Sequence, residues 1–315
     1  MTREDGSTTP AREPATVLLP TLEWTPACDD LAGQLRADDE LLVICDSESD
    51  PVASTDPPER VEVLVAGEPQ GCSGKANAMA HGIERAENDR FVWTDADFRR
   101  EDDWLDRLIA EGEAHGPATA IPFFYGGGWW LLWEPWTVLF STFLFYLGVG
   151  SWGGNAWGGG VTFTRDDLDV DALIADLRQA LSDDGLLSER LGETHPIRSM
   201  VVRVEVPGGF RSVIDRQTRF TRLTHVREGM YDAVVVGIGL IGAAVAFPSV
   251  TAALVTGVAA VAYALLGVRR WTFLLAFPGI VTVALGGLLG IFRSEFEWAG
   301  RRYRLNGPED VEVVD

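Results

Sequence analysis

The stretch Phe91-Val92-Trp93-Thr94-Asp95-Ala96-Asp97 decides the fold: an apolar run ends in two carboxylates one residue apart. A short buried strand that delivers acids to its C-terminal end is how open α/β sheets place ligand chemistry. Side chains at i and i+2 of an extended segment point the same way, so Asp95 and Asp97 can share one cation. The triplet is not unique, because Asp167-Leu168-Asp169 and Asp169-Val170-Asp171 repeat the spacing. Its surroundings set it apart. Upstream, Ala15–Pro20, Glu40–Cys45 and Val61–Ala66 read as buried strands, with a short helix over Asp29–Ala37. A glycine-rich loop, Gly67–Gly74, leads into Lys75–Glu87, where Ala76, Met79, Ala80 and Ile83 share one helical face. Trp104–Glu113 follows as an amphipathic helix. Strands alternating with helices at this spacing predict a parallel, doubly wound α/β sheet.

Composition narrows the function. The chain has 315 residues and a formal charge of −21, which argues against a nucleic-acid partner, since phosphate binding needs basic patches. Lys75 is the only lysine among 26 basic residues. An acidic surface nearly empty of lysine points to a cytosol of very high salt, as in a halophilic archaeon, where self-repulsion is screened. Cys28, Cys45 and Cys72 are odd in number and lack C-x-x-C spacing, so neither a zinc site nor a disulfide framework is expected. His81, His115, His195 and His225 are far apart in sequence and suggest no metal cluster. Met1–Pro14 is polar and reads as disordered, not as a signal peptide.

The pattern changes after Ile121. Trp129–Val149 is aromatic and almost uncharged, holding Glu134 and Pro135, and reads as an interfacial helix with a buried core helix as the alternative. Gly126–Gly128 and Gly153–Gly160 lack the strand–glycine–helix order of a phosphate cradle and read as hinges around it. A strand at Val161–Thr164, a helix over Asp171–Leu181, a further helix opened by Ser182-Asp183-Asp184-Gly185 and a strand at Met200–Val206 complete the first part. Ala233–Gly267 and Trp271–Phe292 hold no charge. About 20 apolar residues cross a bilayer core, so two to three transmembrane segments are expected within 229–293. Arginines flank both ends of this region, which three full crossings cannot satisfy. Either the segment broken at Pro278-Gly279 is re-entrant, the favoured reading, or the tail at 294–315 lies outside.

These fragments fall into one order: a first strand ending in Pro20-Thr21-Leu22-Glu23, Asp46 after the second strand, Gly74-Lys75-Ala76-Asn77-Ala78-Met79, Thr94-Asp95-Ala96-Asp97, a Gly-rich turn, Asp183-Asp184, and Arg216-Gln217-Thr218-Arg219-Phe220-Thr221-Arg222 before the apolar region. The order resembles the membrane-bound family 2 glycosyltransferases, most closely the ceramide glucosyltransferase-like branch. The ending Trp298-Ala299-Gly300-Arg301-Arg302-Tyr303-Arg304-Leu305 is similar to that branch's W-x-G-R-x-Y-R-L. The resemblance implies a GT-A catalytic domain over 15–228, followed by a C-terminal α-helical transmembrane region. It implies an inverting hexosyltransferase on the cytosolic face of a multi-pass cell-membrane protein, with a UDP-hexose donor and a membrane lipid hydroxyl as acceptor.

The implied site is specific. A nucleoside diphosphate leaves readily only when a hard cation neutralises it, so Mg2+ or Mn2+ is expected on Asp97, with Asp95 as second ligand or ribose contact. By the resemblance, Asp46 sits at the uridine or base-sugar subsite, its alternative being a solvated turn acid. A lone lysine in a chain of arginines suggests a contact that a planar fork cannot replace, so Lys75, with Asn77, is assigned to nucleotide or metal-site support. Asp184 matches the catalytic base, with Asp183 beside it raising its pKa by like-charge repulsion. Arg219 and Arg222 match R-x-x-R-W and would contact the diphosphate or acceptor, with anionic lipid as the alternative; Leu223 replaces the Trp. A polyprenyl-phosphate sugar synthase and a non-catalytic nucleotide-sugar-binding membrane module remain as competing readings.

Overall fold

The computed structural model describes residues 12–148, 155–226, 230–293, 295–298, 300–305 and 311–314, with the side chains of 222–226, 230–234, 285–291 and 305 outside the description. Apolar runs become strands where the pattern predicts them. The chain begins β1 (Ala15–Pro20), α1 (Pro26–Ala32), β2 (Glu40–Cys45), β3 (Val61–Val65), α2 (Gly74–Arg85), β4 (Arg90–Thr94) and α3 (Trp104–His115). It continues through β5 (Ala118–Gly126), α4 (Glu134–Ser141), β6 (Gly160–Thr164), α5 (Val170–Leu177), α6 (Asp183–Leu191) and β7 (His195–Val206). Then come α7 (Phe210–Val226), α8 (Met230–Ala246), α9 (Pro248–Leu265) and α10 (Ala276–Phe292), and last β8 (Glu295–Trp298), β9 (Arg301–Leu305) and β10 (Val311–Val314).

The main sheet has the order β3-β2-β1-β4-β6-β5-β7. β1 to β4 are parallel, as expected, and their ends place Pro20, Cys45, Val65 and Thr94 at one edge. β6 runs antiparallel to β4, pairing Gly160 with Thr94, so it carries the glycine-rich segment before it to that same edge. Two apolar layers cover the sheet. Leu19, Val43, Val92, Trp104 and Leu108 pack on one face, and Leu18, Ile44, Met79, Ile83, Phe91 and Phe163 on the other. Burial on both faces explains why these strands read as continuous apolar runs.

Several expectations shift. Arg12, inside the stretch expected to be disordered, has a buried side chain that pairs with Asp39 at 2.6 Å and Asp106 at 2.7 Å. Residues 1–11 lie outside the description. The helix expected over Asp29–Ala37 starts three residues earlier and ends five earlier, because Pro26 sits in its first turn and Gly33 follows its end. The tail forms a second sheet of order β10-β9-β8. Gly126–Gly128 is not a hinge but a close backbone crossing: a Cβ at Gly128 would lie 2.5 Å from the Gly208 carbonyl, and Trp129 N–H donates to that carbonyl at 3.0 Å. Of Gly153–Gly160, the first two glycines lie outside the described residues, while Gly158–Gly160 are packed into the site edge.

Candidate active site

Lys75 enters the edge from the second position of α2, a helix capped by Ser73, whose hydroxyl accepts the Ala76 N–H. Its ammonium lies 2.7 Å from Asp95 Oδ1 and 3.0 Å from Asp183 Oδ2. Burial works against that charge, but Asp183, Asp95 and Asp184 outweigh it and hold Lys75 above the ordinary lysine range. The lone lysine thus joins two acid motifs that are far apart in sequence. Gly158 completes the packing: a Cβ there would meet Asp183 Oδ2 at 2.9 Å and Lys75 Nζ at 3.0 Å.

Asp183 and Asp184 open α6, where the helix end favours negative charge. They differ in role. Asp183 is 2% exposed, and burial pushes its carboxyl up despite Lys75. Asp184 is half-buried and its Oδ1 accepts the Ser182 hydroxyl at 2.6 Å. The Ser188 hydroxyl binds the Asp184 carbonyl at 2.7 Å and accepts the Ala156 N–H at 2.9 Å, fixing α6 against the segment before β6.

Asp97 faces the mouth of this cluster and forms no ion pair among the described residues. Surrounding protein, with Asp95 adding to it, raises its carboxyl, while Lys75 and Arg216 pull the other way. Arg100 is buried behind the acids, donating to the Thr94 hydroxyl and the Asp95 carbonyl and stacking at 4.1 Å on Phe98. Burial lowers it to about 10, so the guanidinium stays charged. Asp97 is exposed and Asp95 half-buried, and this pair of hard carboxylate-oxygen donors fits Mg2+ or Mn2+.

Two arginines of α7 face the acids. Burial draws Arg219 down to about 10 against support from Asp184, Asp95 and Asp183. Arg216, one turn earlier, is lowered by burial and supported by Asp97 and Asp95. Sequence reasoning missed Arg216. The signal was present, because Arg216-x-x-Arg219 followed by Phe220 has the R-x-x-R spacing with an aromatic next, which Arg219-x-x-Arg222-Leu223 lacks. The side chain of Arg222 lies outside the description.

Asp46 stands apart from the lysine cluster, 6% exposed at the end of β2. Asn77, assigned to the donor, has its amide taken elsewhere: Nδ2 donates to the Gly67 carbonyl at 2.9 Å, and Oδ1 accepts from Arg178 at 3.0 Å. It fastens the loop after β3 to α2. The histidines also depart from expectation. Glu111, His115 and His195 converge on the far side of α3, with the two rings stacked at 4.0 Å.

No curated protein matches the sequence. Among solved structures the chain is similar to glucosyl-3-phosphoglycerate synthase from Mycobacterium tuberculosis in complex with phosphoglyceric acid. The identity is 14%, over 62% of this chain and 71% of that one, with a TM-score of 0.36. A second structure of that enzyme holds Mn2+, uridine diphosphate and glucosyl-3-phosphoglycerate, with 14% identity, 62% and 71% coverage and a TM-score of 0.35. A structure described as a mycobacterial protein gives 16% identity, 61% and 65% coverage and a TM-score of 0.34. Residues 27–165, the segment that carries Asp46, Lys75, Asp95 and Asp97, match the sequence model of Glycosyl transferase family 2.

Proposed function

We propose that the chain is an inverting hexosyltransferase that moves sugar from a uridine-diphosphate donor to a hydroxyl of a membrane lipid, with Mg2+ or Mn2+ as cofactor. The observation that carries this reading is the joining of the Thr94–Asp97 and Asp183–Asp184 segments through Lys75 at one sheet edge, with Arg216 and Arg219 opposite. Asp97 and Asp95 would hold the cation, which when bound neutralises charge developing on the leaving diphosphate. Arg216 and Arg219 add fixed positive charge on the same side. The acceptor oxygen attacks the anomeric carbon, the bond to the diphosphate breaks with its electron pair, and the hydroxyl proton passes to Asp184. Ser182 and the α6 packing hold that carboxylate, and Asp183, buried on Lys75, anchors the turn. Attack opposite the departing group inverts the centre.

Asp184→Asn keeps the shape and loses the base. Turnover should fall about a hundred- to ten-thousandfold with little change in donor affinity, measured as sugar incorporated into lipid in membranes. Near-normal turnover would point instead to a phosphate acceptor that needs no base, as in a polyprenyl-phosphate sugar synthase.

The lipid acceptor is supported by surface chemistry. Val235, Ile238, Val245, Phe247, Leu254 and Val261 on the α8–α9 hairpin are largely exposed, as are Trp129, Phe140 and Phe143 around α4. Apolar exposure on this scale marks a membrane or partner surface. Among the described residues only Pro248–Leu265 is long and apolar enough to span a bilayer, while Val235–Ala246 and Trp271–Ala284 are apolar but shorter. The α9 end returns to the domain, where Ala262, Tyr263 and Leu266 pack on Ile121, Phe123 and Val138. α10 starts beside the domain, its Ala276 carbonyl accepting from Trp136 at 3.1 Å, and Arg293 just past it reaches Asp215 at 3.3 Å. Both ends of α10 therefore lie at the domain. This favours one helical hairpin dipping into the bilayer, with α10 re-entrant or along the face. A cysteine placed at Ser249 should be shielded from, or labelled only across, the membrane, while one near Val314 should label from the catalytic side. Labelling of both positions from the catalytic side would exclude a crossing hairpin.

A further inference from the structure

The β8–β9 hairpin touches the donor end of the site at four places. Arg301 Nε donates to Asp46 Oδ2 at 3.1 Å, and its Nη2 forms ion pairs with the same oxygen at 3.0 Å and with Glu68 at 2.6 Å. Tyr303, 2% exposed, accepts the Gly74 N–H at 3.2 Å, on the first residue of α2 and next to Lys75. Trp298 lies under the Arg219 guanidinium at 4.5 Å. Phe296, Tyr303 and Val311 close an apolar cluster on Leu181, the residue before the α6 cap. One hairpin thus contacts the ends of β2 and β3, the start of α2, the approach to α6 and the arginine face of α7.

The chemistry of these contacts is selective. Burial raises the Asp46 carboxyl, Arg301 pulls the other way, and a guanidinium hydrogen-bonded to one carboxylate oxygen restrains the rotation of that carboxylate. Asp46 Oδ1 makes no hydrogen bond among the described residues, so it remains an acceptor in a fixed direction beside the Gly74 backbone, where a Cβ would meet Oδ2 at 3.0 Å. Such an acceptor pairs with an imide N–H, the donor that uracil presents at N3. Trp298 similarly packs against the guanidinium of Arg219.

We propose that the β8–β9 hairpin is a wall of the donor site, in which Arg301 positions Asp46 to accept the imide N–H of the donor base. The proposal rests on the uridine-diphosphate reading above. Arg301 is a positioning residue: it acts through Asp46.

The test compares binding of uridine diphosphate and 3-methyluridine diphosphate to the full-length protein in lipid nanodiscs, with Mn2+ present. The methyl group removes the imide N–H. The intact protein should bind the unmethylated nucleotide about tenfold more tightly or better, the usual loss when a buried polar group is left unpaired. In Arg301→Ala that preference should shrink to about threefold or less, and Arg301→Lys should restore part of it, since it keeps the charge but not the paired grip. A structural role alone would weaken both nucleotides equally, so an unchanged preference in Arg301→Ala overturns the proposal. If Arg301→Ala does not fold, the comparison is made on Arg301→Lys, whose preference must fall below that of the intact protein or the proposal fails. Intact protein that binds both nucleotides equally overturns the assignment of Asp46 and Arg301 but leaves the donor reading standing. Intact protein that binds neither overturns the donor reading itself.

Discussion

Asp97→Ala is expected to lower sugar transfer at least about a thousandfold, equivalent to about 4 kcal/mol of lost transition-state stabilisation. Three features of the site lead to that size. Asp97 is the carboxylate of the pair that Lys75 leaves free, because the ammonium engages Asp95 at 2.7 Å. It is exposed at the mouth, where a cation would bridge protein and diphosphate. Nothing in the core depends on it, so thermal unfolding should move by no more than about 0.5 kcal/mol, as for a surface substitution. Mn2+ binding followed by electron paramagnetic resonance gives a second readout and should weaken with the activity. Activity that survives with normal Mn2+ binding would show that the cation sits elsewhere.

The second large effect is on stability. Glu134 is fully buried, and it accepts from Arg270 at 2.8 and 3.0 Å, from Tyr263 at 3.2 Å and from Thr272. These partners belong to α9 and to the turn that follows it, so one carboxylate ties the apolar hairpin to α4. Removing one member of a buried pair strands the others without partners. Glu134→Ala should cost about 3 kcal/mol, the lower end for buried pairs, because Arg270 keeps 32% of its side-chain exposure. Thermal unfolding in detergent, with proteolysis mapped to residues 265–275, measures it. Glu134→Gln, which retains shape and some hydrogen bonds, should lose less. An unchanged unfolding temperature for the alanine variant would mean that apolar packing alone holds the hairpin.

The legible and hidden parts of this chain differ for physical reasons. β1 and β2 carry the boundaries their apolar runs predict, since burial on both faces leaves an uninterrupted signal. β5 was hidden. Its interior holds Pro122, which usually excludes a central strand, and its apolar character runs on into the aromatic segment without a break. The antiparallel course of β6 could not be read locally either, because direction is set by which strand it meets and not by its own residues. In the site, the spacing of Asp95 and Asp97 and the oddity of Lys75 were visible in one dimension. That Lys75 lies between Asp95 and Asp183 was not, since the contact spans two motifs. Asn77 was assigned with its neighbour Lys75, while its amide donates to the Gly67 carbonyl, a contact that its sequence position did not announce. Arg301 and Tyr303 were read only as part of an ending, because residues 255 and 229 positions from their partners, Asp46 and Gly74, give no local sign of the contacts.

Lys75 has one more consequence. It is the sole side-chain amine in the chain, and it sits between two acids at the site. Reductive methylation with isotopic carbon would install a single side-chain reporter in this protein, at the site itself, with the α-amino group as the other target. Its chemical shift would follow the charge of Asp95 and Asp183 without any engineered label. A chain whose other basic side chains, histidine aside, are all arginine has thereby left its site spectroscopically isolated.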